Sequence, residues 1–531
     1  MTTIEVKQSG HRKGRTVGIV GVLTVCVAVV GYLREAALAA RFGISSTMDA
    51  YFAAIFIPNI LYGVLIAGTL SPVFIPILMQ EDPENRPEEA STTFSVITNF
   101  TLLVLIAIVA GCLAGAHKWL PLVFPGFTGT TDAVAVKLIY IIFPTLPLLA
   151  TAGILSALLN GFHKFWLPAI APAFASISVI AAAVFARGTQ AVYAVGIATA
   201  VGFLVQFIML VPATASLGIR YRPVLHFRHP GIQKLLRLGI PLFLYLAVAN
   251  VSSVLERNLA SRISAGAVST LTYAFRLFTV PSNFLAAPLA IVAYPGFVRE
   301  AVRAERGNLA NQASRLFHIV VFLFLPVTAW TILNASPITR LLYEHGRFVA
   351  SDSLITSRIL AIYSIGIFPN ALAVVLLRCF FAIEDTMTPL VIELLDLGLF
   401  LAVAPYLARH FGLEGLVAAR CSTFFFVTAL LVAFLVRKKL LRLDLEFCRF
   451  FALSALATSV MGALAWTFLR LTQDGFDAGN TLTRLAIVCT ELLISAGTFL
   501  VAARLVRLPQ AGQIVNTIRD LVPWVGDRNA Q

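Results

Sequence analysis

Apolar residues run along this chain in long blocks, each closed by a short polar or basic stretch. A block of about 20 apolar residues is the length of a helix that crosses the hydrocarbon core. The blocks fall at 16–36, 50–79, 92–115, 133–158, 166–186, 190–215, 235–256, 268–294, 309–333, 355–381, 389–407, 413–436, 449–470 and 484–505. Fourteen spans are therefore predicted, with 389–407 and 413–436 the pair on which the count turns. The apolar positions do not alternate at period two, which excludes lipid-facing barrel strands. Pro58 and Gly63 interrupt the second block, so that span is expected to bend or break. Asn59, Gly68 and Ser71 lie in the same interruption, where small residues let helices approach closely.

Composition agrees with the pattern. Of 531 residues, 59% are hydrophobic and 12% charged, against about 25% charged in soluble domains. The formal charge of +14 suggests nucleic acid at first sight, but the cations lie between the spans. With the N-terminus inside, the cytoplasmic connections hold Arg220, Arg222, Arg228, Lys234 and Arg237, then Arg299, Arg303 and Arg306, then Arg437, Lys438, Lys439 and Arg442. Arg504 and Arg507 follow the last span, whereas the outside connections 116–132 and 471–483 hold Lys118 alone. This is the positive-inside bias, and it predicts a multi-pass inner-membrane protein with both termini cytoplasmic. The basic segment His11, Arg12, Lys13 and Arg15 precedes an apolar run too long for a cleaved signal, so the first helix is retained. The six cysteines show no metal-ligand spacing and read as small hydrophobes.

Two hinges echo each other. Asn160–Pro168 joins the fourth and fifth spans, and Phe381–Pro389 joins the tenth and eleventh, an offset of about 220 residues. Each ends in proline at a helix start, where the missing amide donor is harmless. The organisation read from this is a cytoplasmic tail (1–15), a first lobe of six spans (16–215), a linker (216–234) and a second lobe of six (235–436). A cytoplasmic loop (437–448), two extra spans (449–505) and a second cytoplasmic tail (506–531) complete it. Parallel repeats of this kind occur in alternating-access transporters.

Ionisable residues within spans are expensive and mark function first. Arg34 and Glu35 follow the first apolar run, and Arg41 and Asp49 flank the turn after it. Arg34 either faces a polar cavity, where its guanidinium holds a diphosphate through paired hydrogen bonds, or pairs with Glu35 as a structural anchor. Arg257 and Glu256 end the seventh span, and Arg276 lies inside the eighth with no acid one turn away. Arg276 must snorkel, pair across the bundle or line water. Arg378 reads as a cytoplasmic cation, and Glu384 or Asp385 as a cap for the next helix. Asp396 has no evident local partner and is a candidate for cation coupling, as is Glu491. No phosphate-cradling loop is present, which argues against direct ATP hydrolysis.

The stretch from Arg34 to Gly43, followed by Asp49-Ala50-Tyr51-Phe52 and Ile57-Pro58-Asn59, closely resembles the start of the MurJ/MviN family of lipid II flippases. Further matches follow in order: Gly68-Thr69-Leu70-Ser71 with Phe74–Leu78, Tyr273-Ala274 with Arg276-Leu277 and Pro281, Leu342-Tyr343-Glu344 with Gly346 and Phe348, and Phe380-Phe381-Ala382 with Asp385-Thr386 and Pro389. The resemblance implies an all-α polytopic bundle of the MOP type, with about fourteen transmembrane helices in two six-helix lobes around a cationic cavity plus two extra helices. It implies a transporter, not an enzyme, that carries undecaprenyl-diphosphate-linked peptidoglycan precursor (lipid II) to the outer leaflet by alternating access. Substrate contacts are expected from Arg34, Arg276, Glu35, Asp49, Arg41, Asn59 and Arg257. A monomer is expected, with no cofactor and no nucleic acid, driven by the membrane potential or an ion gradient and working beside cell-wall synthesis proteins. The chain departs from the family pattern at Ala28, Tyr62, Gly63, Ala67 and Phe275, where the family carries charge. That thinning leaves open a different polyprenyl-diphosphate-linked oligosaccharide, or a family member that does not transport.

Overall fold

A computed structural model describes the backbone of residues 3–508 except 82, 84, 189, 304, 305 and 443, and the side chains of these except 3–20, 67–72 and 306. The side chains of His11, Arg12, Lys13, Arg15, Ala67, Ser71 and Arg306, and the C-terminal tail beyond Leu508, lie outside the described residues. The chain forms two compact units.

The first unit runs to Ser269 and takes in His345–Val349. It holds α1 (Thr3–Phe42), α2 (Ser46–Leu61), α3 (Ser71–Gln80), α4 (Pro87–Ala114), α5 (Ala116–Val123), α6 (Thr130–Ile142), α7 (Leu146–Gly161), α8 (Trp166–Phe185), α9 (Ala191–Ala215) and α10 (Pro230–Ile263). The helix α1 begins within the predicted N-terminal tail and runs past the predicted end at 36. The alanines from Ala36 to Ala40 favour helix, and Gly43, at φ 60°, ends it with its amide on the Ala39 carbonyl at 2.7 Å. Arg34 and Arg41 therefore both lie within one continuous helix. The predicted break in the second span is a π-helical stretch, Tyr62–Leu70, which follows Pro58 by one turn.

Helix α8 packs on both α1 and α9. A β-carbon at Gly202 would sit 2.5 Å from the Ala175 Cα, so α8 and α9 approach this closely because residue 202 has no side chain. Helix α10, which the sequence repeat groups with the second lobe, belongs to this unit, packed on α3, α4 and the π-helical stretch.

The second unit holds α11 from Thr270 on (Ala267–Pro281), α12 (Ala287–Val302), α13 (Arg306–Leu333), α14 (Ala335–Tyr343), α15 (Ala350–Ile365), α16 (Ile367–Ala382), α17 (Met387–Arg437), α18 (Leu445–Leu471), α19 (Gln473–Ala478) and α20 (Thr481–Leu505). Helix α13 is its hub, touching α12, α15, α16 and α18. Helices α18 and α20 pair with each other, and α18 leans on α13. The tenth predicted span is two helices, α15 and α16, bent by 44° at Gly366.

Helix α17 has 51 residues, about 75 Å if straight, against a hydrocarbon core of about 30 Å. It is not straight. Gly412 has φ 59° and ψ −137°, which only glycine adopts readily, and breaks it. The two halves lie side by side, for Arg420 meets Asp396 at 3.4 Å although 24 residues separate them. The break falls between the predicted spans 389–407 and 413–436. Among the described residues twelve helices are long and apolar enough to cross a membrane, or thirteen with the bent pair, α17 being counted once. The fold is all-α and polytopic.

Candidate functional site

Arg34 projects from the part of α1 that is long and apolar enough to span a membrane. Its side chain is 20% exposed and that of Glu35 is 2% exposed. The Arg34 Nη2 donates to Glu35 Oε1 at 2.7 Å, while its Nε is buried with no acceptor. A buried donor left unmade costs about 1–3 kcal/mol, so the guanidinium is half used. Beside it, Tyr51 on α2 interacts electrostatically with Arg34 and shares a hydrogen bond with Thr199 on α9 at 3.0 Å. Glu35 thus neutralises Arg34, as the anchor reading requires, while the Nε edge is left without an acceptor.

Arg41 and Asp49 have structural partners. Arg41 Nη2 donates to the Ala186 carbonyl at 2.7 Å, at the C-terminus of α8, where the helix dipole attracts cations. The Asp49 carboxylate accepts from the Gly266 and Ser269 amides at 2.6 Å each. It caps the start of α11, whose first amides have no partner within the helix. Ser45 in turn caps α2, accepting from Met48 at 3.3 Å, which sets Asp49 in the first turn.

Asn59 is exposed on α2. Arg257 lies over the Phe56 ring at 3.9 Å and donates to the Ser253 carbonyl at 3.2 Å. Arg276 is partly exposed on α11, in the second unit. Its neighbour Phe275 packs on Phe278 and Tyr363. Arg34 and Glu35 touch, Arg41 and Asp49 close helix ends, and Arg276 belongs to a different unit.

Sequence reasoning missed Arg420. It lies 12% exposed within α17, pairs with Asp396, and stands 4.8 Å from the Phe424 ring centroid. Asp396, for which the sequence offers no local partner, finds one from beyond the Gly412 turn. A positive charge inside the predicted span 413–436 was the available signal. Glu491 is fully buried and bonded by the Trp330 indole at 2.5 Å and the Ser495 hydroxyl at 2.7 Å. Asp385 caps α17 as expected, accepting from the Thr388 amide at 3.0 Å, and pairs with Lys438 at 2.9 Å.

The family model described as lipid II flippase MurJ matches residues 38–487. A probable lipid II flippase MurJ from Buchnera aphidicola subsp. Acyrthosiphon pisum is 26% identical over 490 residues, covering 91% of this chain and 95% of the relative. One from Rhizobium meliloti is 30% identical over 419 residues, covering 75% and 76%. The fold resembles a solved lipid II flippase MurJ in an inward closed conformation, with a TM-score of 0.77 at 22% identity over 91% of this chain and 98% of that one. It also resembles an inward-facing multidrug resistance MATE family transporter of the MOP superfamily, with a TM-score of 0.61 at 14% identity over 79% and 98%. The chain is thus a multi-pass inner-membrane protein, a transporter and not an enzyme, and it belongs to the MurJ family of lipid II flippases.

Proposed function

We propose that this chain moves undecaprenyl-diphosphate-linked peptidoglycan precursor from the cytoplasmic to the outer leaflet by alternating access. The observation that carries the reading is Arg34: a guanidinium within a membrane span of a MurJ-family chain, with one edge on Glu35 and a buried Nε that has no acceptor. A diphosphate supplies the acceptors that this donor lacks. Arg276, Arg257 and Asn59 are proposed to contact the head group as well, and Arg41, Glu35 and Asp49 to hold the helices that present it. The proposed frame has fourteen spans, with α17 counted as two, in two lobes of six plus α18 and α20, and both termini cytoplasmic. The monomer works beside cell-wall synthesis proteins. No covalent chemistry is needed, and the membrane potential or an ion gradient supplies the drive, about 2.3 kcal/mol per charge per 100 mV.

The test is head-group accessibility in vesicles reconstituted with lipid II. The chain is expected to expose the head group, and Arg34→Ala to slow this at least about tenfold, the loss of a charge-assisted contact. Wild-type rates in Arg34→Ala overturn the role of the arginine, and no transport by the unaltered chain overturns the activity.

A second reading is favoured by one observation. Where the family pattern carries charge, Phe275 packs into an aromatic cluster with Phe278 and Tyr363, and a β-carbon at Gly153 would touch the Tyr62 ring at 3.1 Å. An apolar replacement of charge fits a different polyprenyl-diphosphate-linked oligosaccharide. Failure to rescue a strain depleted of its lipid II flippase, with transport of another such lipid intact, selects it.

A further inference from the structure

We infer that the end of α18 carries a binding site for the phosphate of an anionic phospholipid, which neither the family nor the transport reading assigns. The cavity there holds about 370 Å³ and lies wholly in the second unit. Its polar wall includes Arg340, Arg470, Gln473 and Asp477, and its apolar wall includes Trp466 and Phe476.

The charges do not balance. Asp477 is taken by Arg340, and Glu344 is shared between Arg340 at 3.2 Å and Arg484 at 3.5 Å. Phe476 is buried, with the Arg340 and Arg484 guanidinium groups 5.1 and 5.4 Å from its ring centroid. Arg470 has no carboxylate partner among the described residues, and its only neighbour of note is the Trp466 ring, 5.2 Å away. Of the charged residues that line the cavity, Arg340 and Arg470 stand against Asp477 alone, which leaves one positive charge on its wall. Asp474, on the same short helix as Asp477, does not line it.

The position suits a lipid rather than a soluble ion. Arg470 is one residue from the end of α18, and Trp466 is five, about 8 Å deeper along the axis. Trp466 is 52% exposed and Leu464 48% exposed. An exposed tryptophan one turn below a membrane helix end is where the head-group layer lies. A lipid placed with its phosphate on Arg470 lays its glycerol against Trp466 and its chains along the apolar face of α18. Any juxtamembrane cation attracts anionic lipid, by about 1 kcal/mol or roughly fivefold in affinity. Here the tryptophan and the cavity add a fixed place for it. The inference does not rest on the transport reading.

The experiment uses the full chain, delipidated in a neutral detergent, with phosphatidylglycerol bearing brominated acyl chains as the probe and phosphatidylcholine with the same chains as the comparison. Binding is read by native mass spectrometry and by quenching of the Trp466 fluorescence, isolated as the difference from Trp466→Phe. The unaltered chain is expected to bind phosphatidylglycerol about fivefold more tightly than phosphatidylcholine. Arg470→Ala and Arg470→Glu are expected to lose that preference and the quenching, while Arg470→Lys retains most of both. The side chain is exposed, so unchanged thermal unfolding is expected for all three variants. Equal binding of phosphatidylglycerol by Arg470→Ala and the unaltered chain overturns the inference. So does displacement of the lipid by inorganic phosphate, which marks a free-anion site instead.

Discussion

Asp396 and Arg420 lie 3.4 Å apart within what is nominally one helix, joined only because Gly412 turns the chain back on itself. Their side chains are 5% and 12% exposed, in the membrane-spanning part of the protein, so neither charge has water to fall back on. Glu393 lies one turn before Asp396 and also interacts electrostatically with Arg420.

Removing one partner of such a pair strands the other. Arg420→Met is expected to destabilise the protein by about 3–5 kcal/mol, whereas Asp396→Leu with Arg420→Met should recover most of the loss. Denaturant unfolding in detergent across the double-mutant cycle measures the coupling. Additive single losses would show that the two side chains do not depend on each other.

Gly412 carries the turn at φ 59° and ψ −137°. Gly412→Ala is expected to lower stability by about 1–3 kcal/mol, since a β-carbon is strained in this region whatever the surrounding space. A variant as stable as the parent would mean that the backbone there relaxes without penalty.

Asp49 holds two amides at the start of α11. Asp49→Ala is expected to cost about 2–4 kcal/mol, because two charge-assisted bonds vanish and the buried amides lose their acceptor. Asp49→Asn keeps an acceptor oxygen and should lose roughly half as much. A transport defect in Asp49→Ala without any fall in melting temperature would instead indicate direct contact with substrate.

Asp385 lies outside the spans, in the hinge between α16 and α17. Burial pushes its carboxyl up, but hydrogen bonds from Thr388 and the nearby Lys438 ammonium outweigh it and hold it below the ordinary 3.8. The folded state therefore binds its proton less readily than the unfolded one. Its stabilising contribution is complete above pH about 4 and is lost as pH falls through the lower folded value. Asp385→Asn should remove this part of the acid sensitivity while lowering stability near neutral pH, and unfolding curves at descending pH for both proteins check it.

Long apolar blocks and the placement of cations determined much by themselves. With no water in the bilayer core, each block has to satisfy its own backbone as a helix, so all-α polytopic architecture follows from local composition. The break in the second span, the hinge cap at Asp385 and the family were legible for the same reason, being carried by residues close together in the chain. Only the tertiary structure decided which charges meet. Asp396 finds Arg420 across a turn, Asp49 finds amides more than 200 residues away, and Arg41 finds the end of α8. The membership of α10 in the first unit also comes from packing and not from the repeat. Periodicity reports which residues avoid water. The cost of an unpaired charge in a low-dielectric interior selects its partner from everything the fold brings within reach, whatever the separation along the chain.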